Sequence, residues 1–386
     1  MVARAQVLAI IATPVLGGPG KGLLQFARHA SADTRVLLGN FSCRGQVSEL
    51  CHRAREQGVA VELLHQRGPF DPRPLAQALQ LVRKQGINIV QSHGYKSHLV
   101  ARYVAARAGL PWLAFAHGWT DESRRARLYN RLEKWLLRQA PVAVAVSRPL
   151  HDTLAQLRGR RPTELVLNAV DPRELRRAHG GAALRARLQV RSGQIVIGVF
   201  GRLSREKGHT HLLTALTGLG TDAARFRLVV VGQGPERAAL QARAEQLGVA
   251  SQVSFEGYRD NMGDYFEAVD LLALPSLSEG TPNVVLEALA LGRPVLATRT
   301  GGVGDLVLPG VNGWLVDPGD SAALAAVLRH LLQAPGELAE FGARAPGSLA
   351  RWFMADARAA RIEALYERLL RGPVQGRTHR ADGGMA

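Results

Sequence analysis

The chain has 386 residues, 46% of them hydrophobic and 21% charged, with a formal net charge of +17. This length predicts two domains with true cores, and the composition excludes a disordered or fibrous chain. No apolar run reaches the roughly 18 residues that cross a bilayer, and the two cysteines, Cys43 and Cys51, make neither a disulfide framework nor a metal pattern, which points to the reducing cytosol.

The first half alternates short apolar runs with amphipathic stretches. Strands are predicted at Val7–Ala12, Arg35–Leu38, Val59–Leu64, Ile87–Gln91, Trp112–Ala116, Val142–Val146 and Glu164–Leu167. Helices fit Pro74–Gln85 and Ser97–Ala108. Met1–Ala12 could pass for a short signal peptide, but Thr13-Pro14 and a glycine cluster follow, as after a first strand. The loop Gly17-Gly18-Pro19-Gly20-Lys21-Gly22 permits close approach of backbone to a ligand. It has neither the Gly-x-Gly-x-x-Gly register nor a P-loop Gly-Lys-Ser/Thr, which argues against NAD and ATP. His93-Gly94 and His117-Gly118 each follow a predicted strand, where histidine can bind a hydroxyl or move a proton. A helix over Arg124–Arg138 carries Arg127, Arg131, Lys134 and Arg138 in one stripe. Leu128, Leu132, Trp135 and Leu136 form the adjoining face, a pattern open to a membrane surface or to a core-packed helix.

Charge is concentrated in this half: residues 1–180 hold 27 Lys/Arg against 12 Asp/Glu, whereas residues 181–386 hold 22 against 20. Such basicity implies an anionic partner, namely nucleic acid, a membrane surface or a phosphorylated substrate, or else the many arginines reflect a high-GC genome.

Residues Asp171–Ser192 lack a strand signal and read as a connection with a helix near Ala182–Leu188. A second series follows, with strands at Ile195–Phe200, Arg227–Val231, Val253–Glu256, Asp270–Leu274, Pro294–Thr298 and Gly313–Val316. Its helices fit His209–Leu216, Pro235–Leu247, Met262–Ala268, Pro282–Leu291 and Ser321–Gln333. Strand-helix alternation predicts parallel sheets that bind ligands beyond their strands' carboxyl ends.

Two loops of the second series carry chemistry. Gly201-Arg202-Leu203-Ser204-Arg205-Glu206-Lys207-Gly208 follows one strand, and Arg202 with Lys207 suits a diphosphate. Ser278-Glu279-Gly280-Thr281-Pro282-Asn283 follows another. Pro282 fits a first helical residue, which leaves the N–H groups of Thr281, Asn283 and Val284 open to an anion. Glu287 lies farther along that helix. No His/Cys/Asp cluster has metal spacing, and no Gly-x-Ser-x-Gly elbow is present.

Taken together, Gly201-Arg202-Leu203, Lys207-Gly208, Gly232-Gln233-Gly234, the run Glu279-Gly280-x-Pro282-Asn283-x-x-x-Glu287, Gly301-Gly302 and Asn312-Gly313 resemble a retaining GT-B glycosyltransferase of family 4 (glycosyl transferases group 1). The likeness is dense over residues 194–335 and looser before, through Gly17-Gly18, His93-Gly94, His117-Gly118, Ala145-Val146-Ser147 and Asn168-Ala169-Val170-Asp171. It implies an α/β GT-B fold: two Rossmann-like doubly wound domains facing across a cleft. The implied organisation is an acceptor-side domain over 1–172, a connection over 173–193 and a donor-binding domain over 194–348. A helix over 349–371 crosses back to the first domain, and a disordered tail covers 372–386.

The resemblance also implies a nucleotide-diphosphate sugar as donor substrate, UDP- or GDP-linked, with no cofactor and no metal. Arg202 and Lys207 would hold its diphosphate, Glu287 the ribose and Glu279 the sugar. Backbone N–H groups of Gly280, Thr281, Pro282's neighbours and Asn283 would fix sugar and phosphates. Gly17 and Gly18 would close on the diphosphate, Tyr258 would lie by the base, and His117 would sit at the anomeric carbon. Thr281 and Ala169 depart from the residues usual at their positions and leave the sugar open. The expected activity is retaining, metal-independent transfer to a saccharide or lipid-linked acceptor in polysaccharide or lipopolysaccharide-type synthesis. The expected place is the cytoplasm, with Arg127, Arg131, Lys134 and Arg138 against an anionic membrane. A nucleotide-sugar epimerase or a phosphorylase of the same architecture is the alternative. A nucleic-acid binder finds little support, because aromatics are only 5% and no aromatic-interleaved basic platform is present.

Overall fold

A computed structural model of the chain describes residues 5–13, 16–43, 45–68, 71–119, 124–175 and 180–372. The chain forms two compact units, one of residues 1–115, 119–143 and 359–386, the other of 116–118 and 144–358. Of the tail expected at 372–386, everything after residue 372 lies outside the described residues.

Thirteen strands are found among the described residues. They are β1 (Ala5–Ile11), β2 (Thr34–Cys43), β3 (Ala60–Gln66), β4 (Ile89–His93), β5 (Trp112–Ala116), β6 (Val142–Ala145), β7 (Thr163–Leu165), β8 (Ile195–Phe200), β9 (Phe226–Val231), β10 (Val253–Gly257), β11 (Leu271–Leu274), β12 (Val295–Thr298) and β13 (Gly313–Val316). The first sheet runs β3-β2-β1-β4-β5-β6-β7 and the second β10-β9-β8-β11-β12-β13. The registered pairs are parallel. Central strands read as continuous apolar runs because helices cover both sheet faces. Along β8 and β9, Val196, Phe200, Val229 and Val231 join one buried cluster. Ile197, Val199, Leu228 and Val230 join the cluster on the opposite face, as a side-chain period of two requires.

In each sheet the order reverses once, between β1 and β4 in the first and between β8 and β11 in the second. Connections leaving two such neighbours go to opposite faces, so a crevice opens at their carboxyl ends. The residues after these four strands are therefore the ones the fold offers to a ligand.

Packing inside each unit explains two segments that the sequence pattern leaves vague. The helix Gly181–Arg187 packs on the helix Met262–Ala268 with almost no gap. Gly180 N–H donates to Asp264 Oδ1 and Gly181 N–H to Glu267 Oε2, both at 3.0 Å. In the first unit the last helix docks through Tyr366, whose buried hydroxyl donates to Gln91 Oε1 and whose ring meets Phe26 edge-on at 5.8 Å. Glu363 on the same helix accepts from Ser31 N–H and Oγ–H at 2.8 and 2.7 Å.

The basic helix is observed over Arg124–Gln139. Leu128, Leu132 and Trp135 are exposed at 62%, 36% and 43%, whereas Leu136 is fully buried. The apolar face expected from sequence thus splits: Leu136 packs inward, and the other three point to solvent beside exposed Arg127, Arg131 and Arg138. Lys134 departs from the expected exposed stripe, because it is half-buried with its ammonium 4.6 Å from the Trp119 ring centroid.

Candidate functional site

The second unit gathers its polar residues on the loops after β8, β9, β10, β11 and β12, all at one edge of one sheet. These loops touch backbone to backbone. Gly232 has φ +148°, and a Cβ there would lie 1.7 Å from the Gly201 carbonyl oxygen. Gly201 N–H donates to Val231 O, Gly232 N–H to Gly257 O, and Leu203 N–H to Gln233 O, at 2.8–2.9 Å. Only glycine permits this approach, which is why Gly232-Gln233-Gly234 follows β9. In the same way, a Cβ on Gly301 (φ +55°) would meet the Glu279 carbonyl oxygen at 2.0 Å, and Gly302 N–H donates to Gly280 O at 2.7 Å. The loop after β12 thereby fixes the turn that bears Glu279.

The central contact joins the two loops that flank the order reversal. Lys207 Nζ lies 2.7 Å from Glu279 Oε1. Sequence reading names both residues but assigns them to separate groups of the ligand, and their direct pairing is new. The side chain of Glu279 is 7% exposed and that of Lys207 25%, so the carboxylate is enclosed and the ammonium remains reachable. Ser276, fully buried, donates its hydroxyl to the same Glu279 oxygen at 2.6 Å. Its own carbonyl accepts from Thr298 Oγ1 at 2.5 Å. Sequence reasoning misses Ser276, because a serine after a strand reads as an ordinary turn residue.

Glu206 completes the cluster from the basic loop. Burial alone would raise its carboxyl, but the Ser204 hydroxyl, a backbone N–H and the charges of Arg202 and Lys207 hold it below its ordinary value. Arg202 is exposed, where a solvated anion can reach it. Directly behind Lys207 lies buried His209, pushed down from 6.5 to about 4 by burial and then by the Lys207 charge. His209 is therefore neutral at pH 7 and adds no positive charge to the site.

The helix with Glu287 starts one residue later than predicted. Pro282 takes an extended conformation (φ −75°, ψ 117°) as its N-cap, and the helix spans Asn283–Ala290. The N–H groups of Asn283 and Val284 have no intrahelical acceptor, whereas Val285 N–H donates to Pro282 O at 3.2 Å, and Glu287 lies one turn in, half-buried. Thr281 is buried rather than open to a ligand: its hydroxyl donates to Val146 O at 2.7 Å and its carbonyl accepts from Asn168 Nδ2 at 2.9 Å. A hydroxyl at this position is a structural tie, which accounts for the departure seen in the sequence. Gly280 is half-buried.

Tyr258 follows β10, 44% exposed, and its loop rests on a carboxylate missed in the sequence. Glu256 Oε2 accepts from Arg187 Nη2 at 2.6 Å and from Tyr265 OH at 2.7 Å, and Oε1 accepts from Ser254 Oγ at 2.7 Å. Burial opposes its charge, but these donors prevail and hold the Glu256 carboxyl at about 2.

The remaining predicted residues have other settings. His117, after β5, is half-buried, and Gly118 takes φ +99°. Gly17 is the N-cap of the helix Gly18–His29, and its loop is held by Glu49, whose Oε2 accepts from Leu16 N–H at 3.2 Å. His93 is corrected. It is not a loop residue but the last residue of β4, 4% exposed, hydrogen-bonded through Nε2 to Gln91 Nε2 at 2.8 Å and stacked 4.9 Å from Phe115. That histidine is packed, not presented.

Comparison with known proteins agrees with this geometry. The family described as Glycosyl transferases group 1 matches residues 182–347, and Glycosyltransferase Family 4 matches residues 16–174. The chain is 31% identical over 282 residues to the 2-deoxystreptamine glucosyltransferase of Streptomyces kanamyceticus, covering 68% of this chain and 72% of that protein. It is 26% identical to the putative glycosyltransferase EpsD of Bacillus subtilis, covering 70% and 74% of the two. Among solved structures, Anabaena HepE in complex with UDP-glucose superposes with TM-score 0.83 at 23% identity, over 94% of this chain and 100% of that one. Two parallel Rossmann-like sheets, a lysine and a glutamate paired at the reversal of the second, and these matches together make the chain a glycosyltransferase of the GT-B fold and a member of glycosyltransferase family 4.

Proposed function

We propose that the chain transfers a sugar, with retention, from a UDP- or GDP-linked donor to a saccharide or lipid-linked acceptor in polysaccharide or lipopolysaccharide-type synthesis, without a divalent ion. The observation that carries this is the Lys207–Glu279 pair at the reversal of the second sheet, which joins a reachable cation to an enclosed acceptor of sugar hydroxyls. Arg202 and Lys207 bind the diphosphate, Glu279 the sugar and Glu287 the ribose. The N–H groups of Gly280 and Asn283 orient the phosphates, and Tyr258 lies on the base. His117 meets the anomeric carbon. As the anomeric bond to the diphosphate breaks, negative charge grows on the leaving oxygen, where preorganised cations and N–H dipoles stabilise it most. The acceptor hydroxyl attacks from the same face and its proton passes to that phosphate oxygen. The UDP-glucose held by HepE supports a uridine donor.

The test is Arg202→Ala with Lys207→Ala, assayed with a panel of UDP- and GDP-sugars and acceptors. Transfer falls by at least about a hundredfold, with the circular dichroism spectrum kept. Undiminished transfer overturns the reading.

A second element of the proposal is contact with an anionic membrane at the cytoplasmic face. It is supported by exposed Leu128, Leu132 and Trp135 flanked by Arg127, Arg131 and Arg138, with Arg102 lying 5.1 Å over the Trp135 ring. Apolar residues beside a basic stripe suit the headgroup boundary. Co-sedimentation with phosphatidylglycerol vesicles at low salt, lost in Leu128→Glu/Trp135→Glu, tests it. If wild-type protein ignores such vesicles, the membrane contact is refuted.

A further inference from the structure

The first sheet has its own crevice, between β1 and β4, and Lys96 stands beside it. This lysine is the second residue of the helix Tyr95–Ala108, which begins immediately after β4 and is capped by Gly94 at φ +80°. Three features make its position costly for a cation. It lies in a helix first turn, where the dipole is positive. It is half-buried. Among the described residues no carboxylate lies within ion-pairing distance of it.

The neighbours of Lys96 are neutral. Its ammonium donates to Gln66 Oε1 and sits 4.6 Å from the Phe41 ring centroid. Gln66 ends β3 and Phe41 lies near the end of β2, so both are at the carboxyl edge of the sheet. Cys43 and then Asp71 are the titratable groups whose fields reach Lys96; Cys43 is a thiol rather than a carboxylate, and Asp71 is committed elsewhere. It accepts from Arg73 Nε at 2.9 and 3.1 Å and from Arg67 N–H at 2.6 Å. Burial accordingly lowers the Lys96 pKa from its ordinary value. A surface lysine could escape such a place by swinging into water. This one is retained by an amide oxygen and an aromatic face, which leaves its charge unanswered at the edge where the fold binds ligands.

We propose that Lys96 is the anion-reading residue of an acceptor subsite in the first unit, and that the acceptor carries a phosphate or a carboxylate on or beside its sugar. The inference rests on the glycosyltransferase reading and narrows its substrate class. Gln66 and Phe41 position the ammonium, and the Phe41 face leaves room for the apolar side of a sugar ring.

The chain holds five lysines: Lys21, Lys84, Lys96, Lys134 and Lys207. Their acylation by a limiting amine reagent, read by peptide mass spectrometry on the full chain, reports each separately. Glucose 1-phosphate, glucuronate, inorganic phosphate and methyl glucoside are added at equal ionic strength, with exposed Lys84 as the reference. The expected result is at least threefold slower labelling of Lys96 with the phosphate-bearing or the carboxylate-bearing sugar, and none with methyl glucoside. Which of the two anions protects identifies the source. Equal protection by the neutral glycoside, protection of Lys207 alone, or no protection overturns the proposal. Lys96→Met then loses the thermal stabilisation given by the protecting sugar, Lys96→Arg keeps it, and both keep stabilisation by UDP. If neither UDP nor GDP stabilises any form of the protein, the donor reading fails instead, and the labelling of wild type still decides on Lys96.

Discussion

The Lys207–Glu279 pair makes a quantitative prediction for a double-mutant cycle. At 2.7 Å and an effective dielectric near 20, the gross attraction is about 6 kcal/mol, and desolvation cancels much of it. Lys207→Met leaves a carboxylate that is 7% exposed and has Ser276 as its remaining side-chain donor. Breaking a fully buried pair costs about 3–5 kcal/mol, and one partner here is reachable by water, so the expected loss is about 2–3 kcal/mol. Glu279→Gln strands a lysine that is 25% exposed and costs less, about 1–2 kcal/mol. The double variant removes both charges at nearly constant volume and falls within about 1 kcal/mol of wild type, so the coupling is about 2 kcal/mol. Urea unfolding followed by hydrogen exchange in peptides spanning residues 271–290 reads the relevant segment. Additive losses, with coupling below about 0.5 kcal/mol, would refute the claim that the two side chains hold each other.

Ser276→Ala removes one donor from a buried carboxylate, so it destabilises the second unit by about 1–2 kcal/mol and raises KM for the donor more than it lowers kcat. Equal loss in both parameters contradicts a positioning role. Stability of the second unit depends on pH through His209. Its folded value of about 4 lies below the ordinary 6.5, so its share of stability is complete above pH 6.5 and is lost as pH falls toward 4, on the order of 3 kcal/mol in all. His209→Gln flattens that slope in urea titrations from pH 7 to 4, and an unchanged slope counts against it. Gly232→Ala places a Cβ against the Gly201 carbonyl and lowers the melting temperature by at least about 5 °C, whereas Gly336→Ala, at an open position, does not.

The sequence is most readable where composition alone defines an element. β5, β8 and β13 have the predicted boundaries because each is an unbroken apolar run closed by glycine, histidine or a charge. The apolar pattern sets β4 two residues early, since Gln91, Ser92 and His93 are polar. They are nonetheless buried, because Gln91 bonds Tyr366 and His93, and Ser92 bonds His98 and Trp112. Partners 275 residues away leave no local signal. The helix Gly336–Ser348 has no clear periodicity, because Pro346 and two glycines interrupt it. For the site, residue types are legible at Arg202, Lys207, Glu279 and Glu287. Which of them touch is not, since Lys207 and Glu279 are 72 positions apart and meet only through the order of strands. Glu206, Glu256 and Ser276 resemble any surface polar residue until their neighbours are known.

The backbone-to-backbone seating of the loops after β8, β9, β11 and β12 constrains how this enzyme can change. Each loop is indexed against the next through a glycine without clearance, at Gly232 on Gly201 and at Gly301 on Glu279. Lengthening any one of them by a residue would dislodge its neighbours in turn. Under the proposed function, variation in sugar preference is thereby confined to side chains at fixed stations along a rigid rim, and the first sheet, whose edge carries Lys96, varies with the acceptor. A library that randomises side chains on the second sheet's loops at constant length will yield folded variants far more often than one that inserts into them.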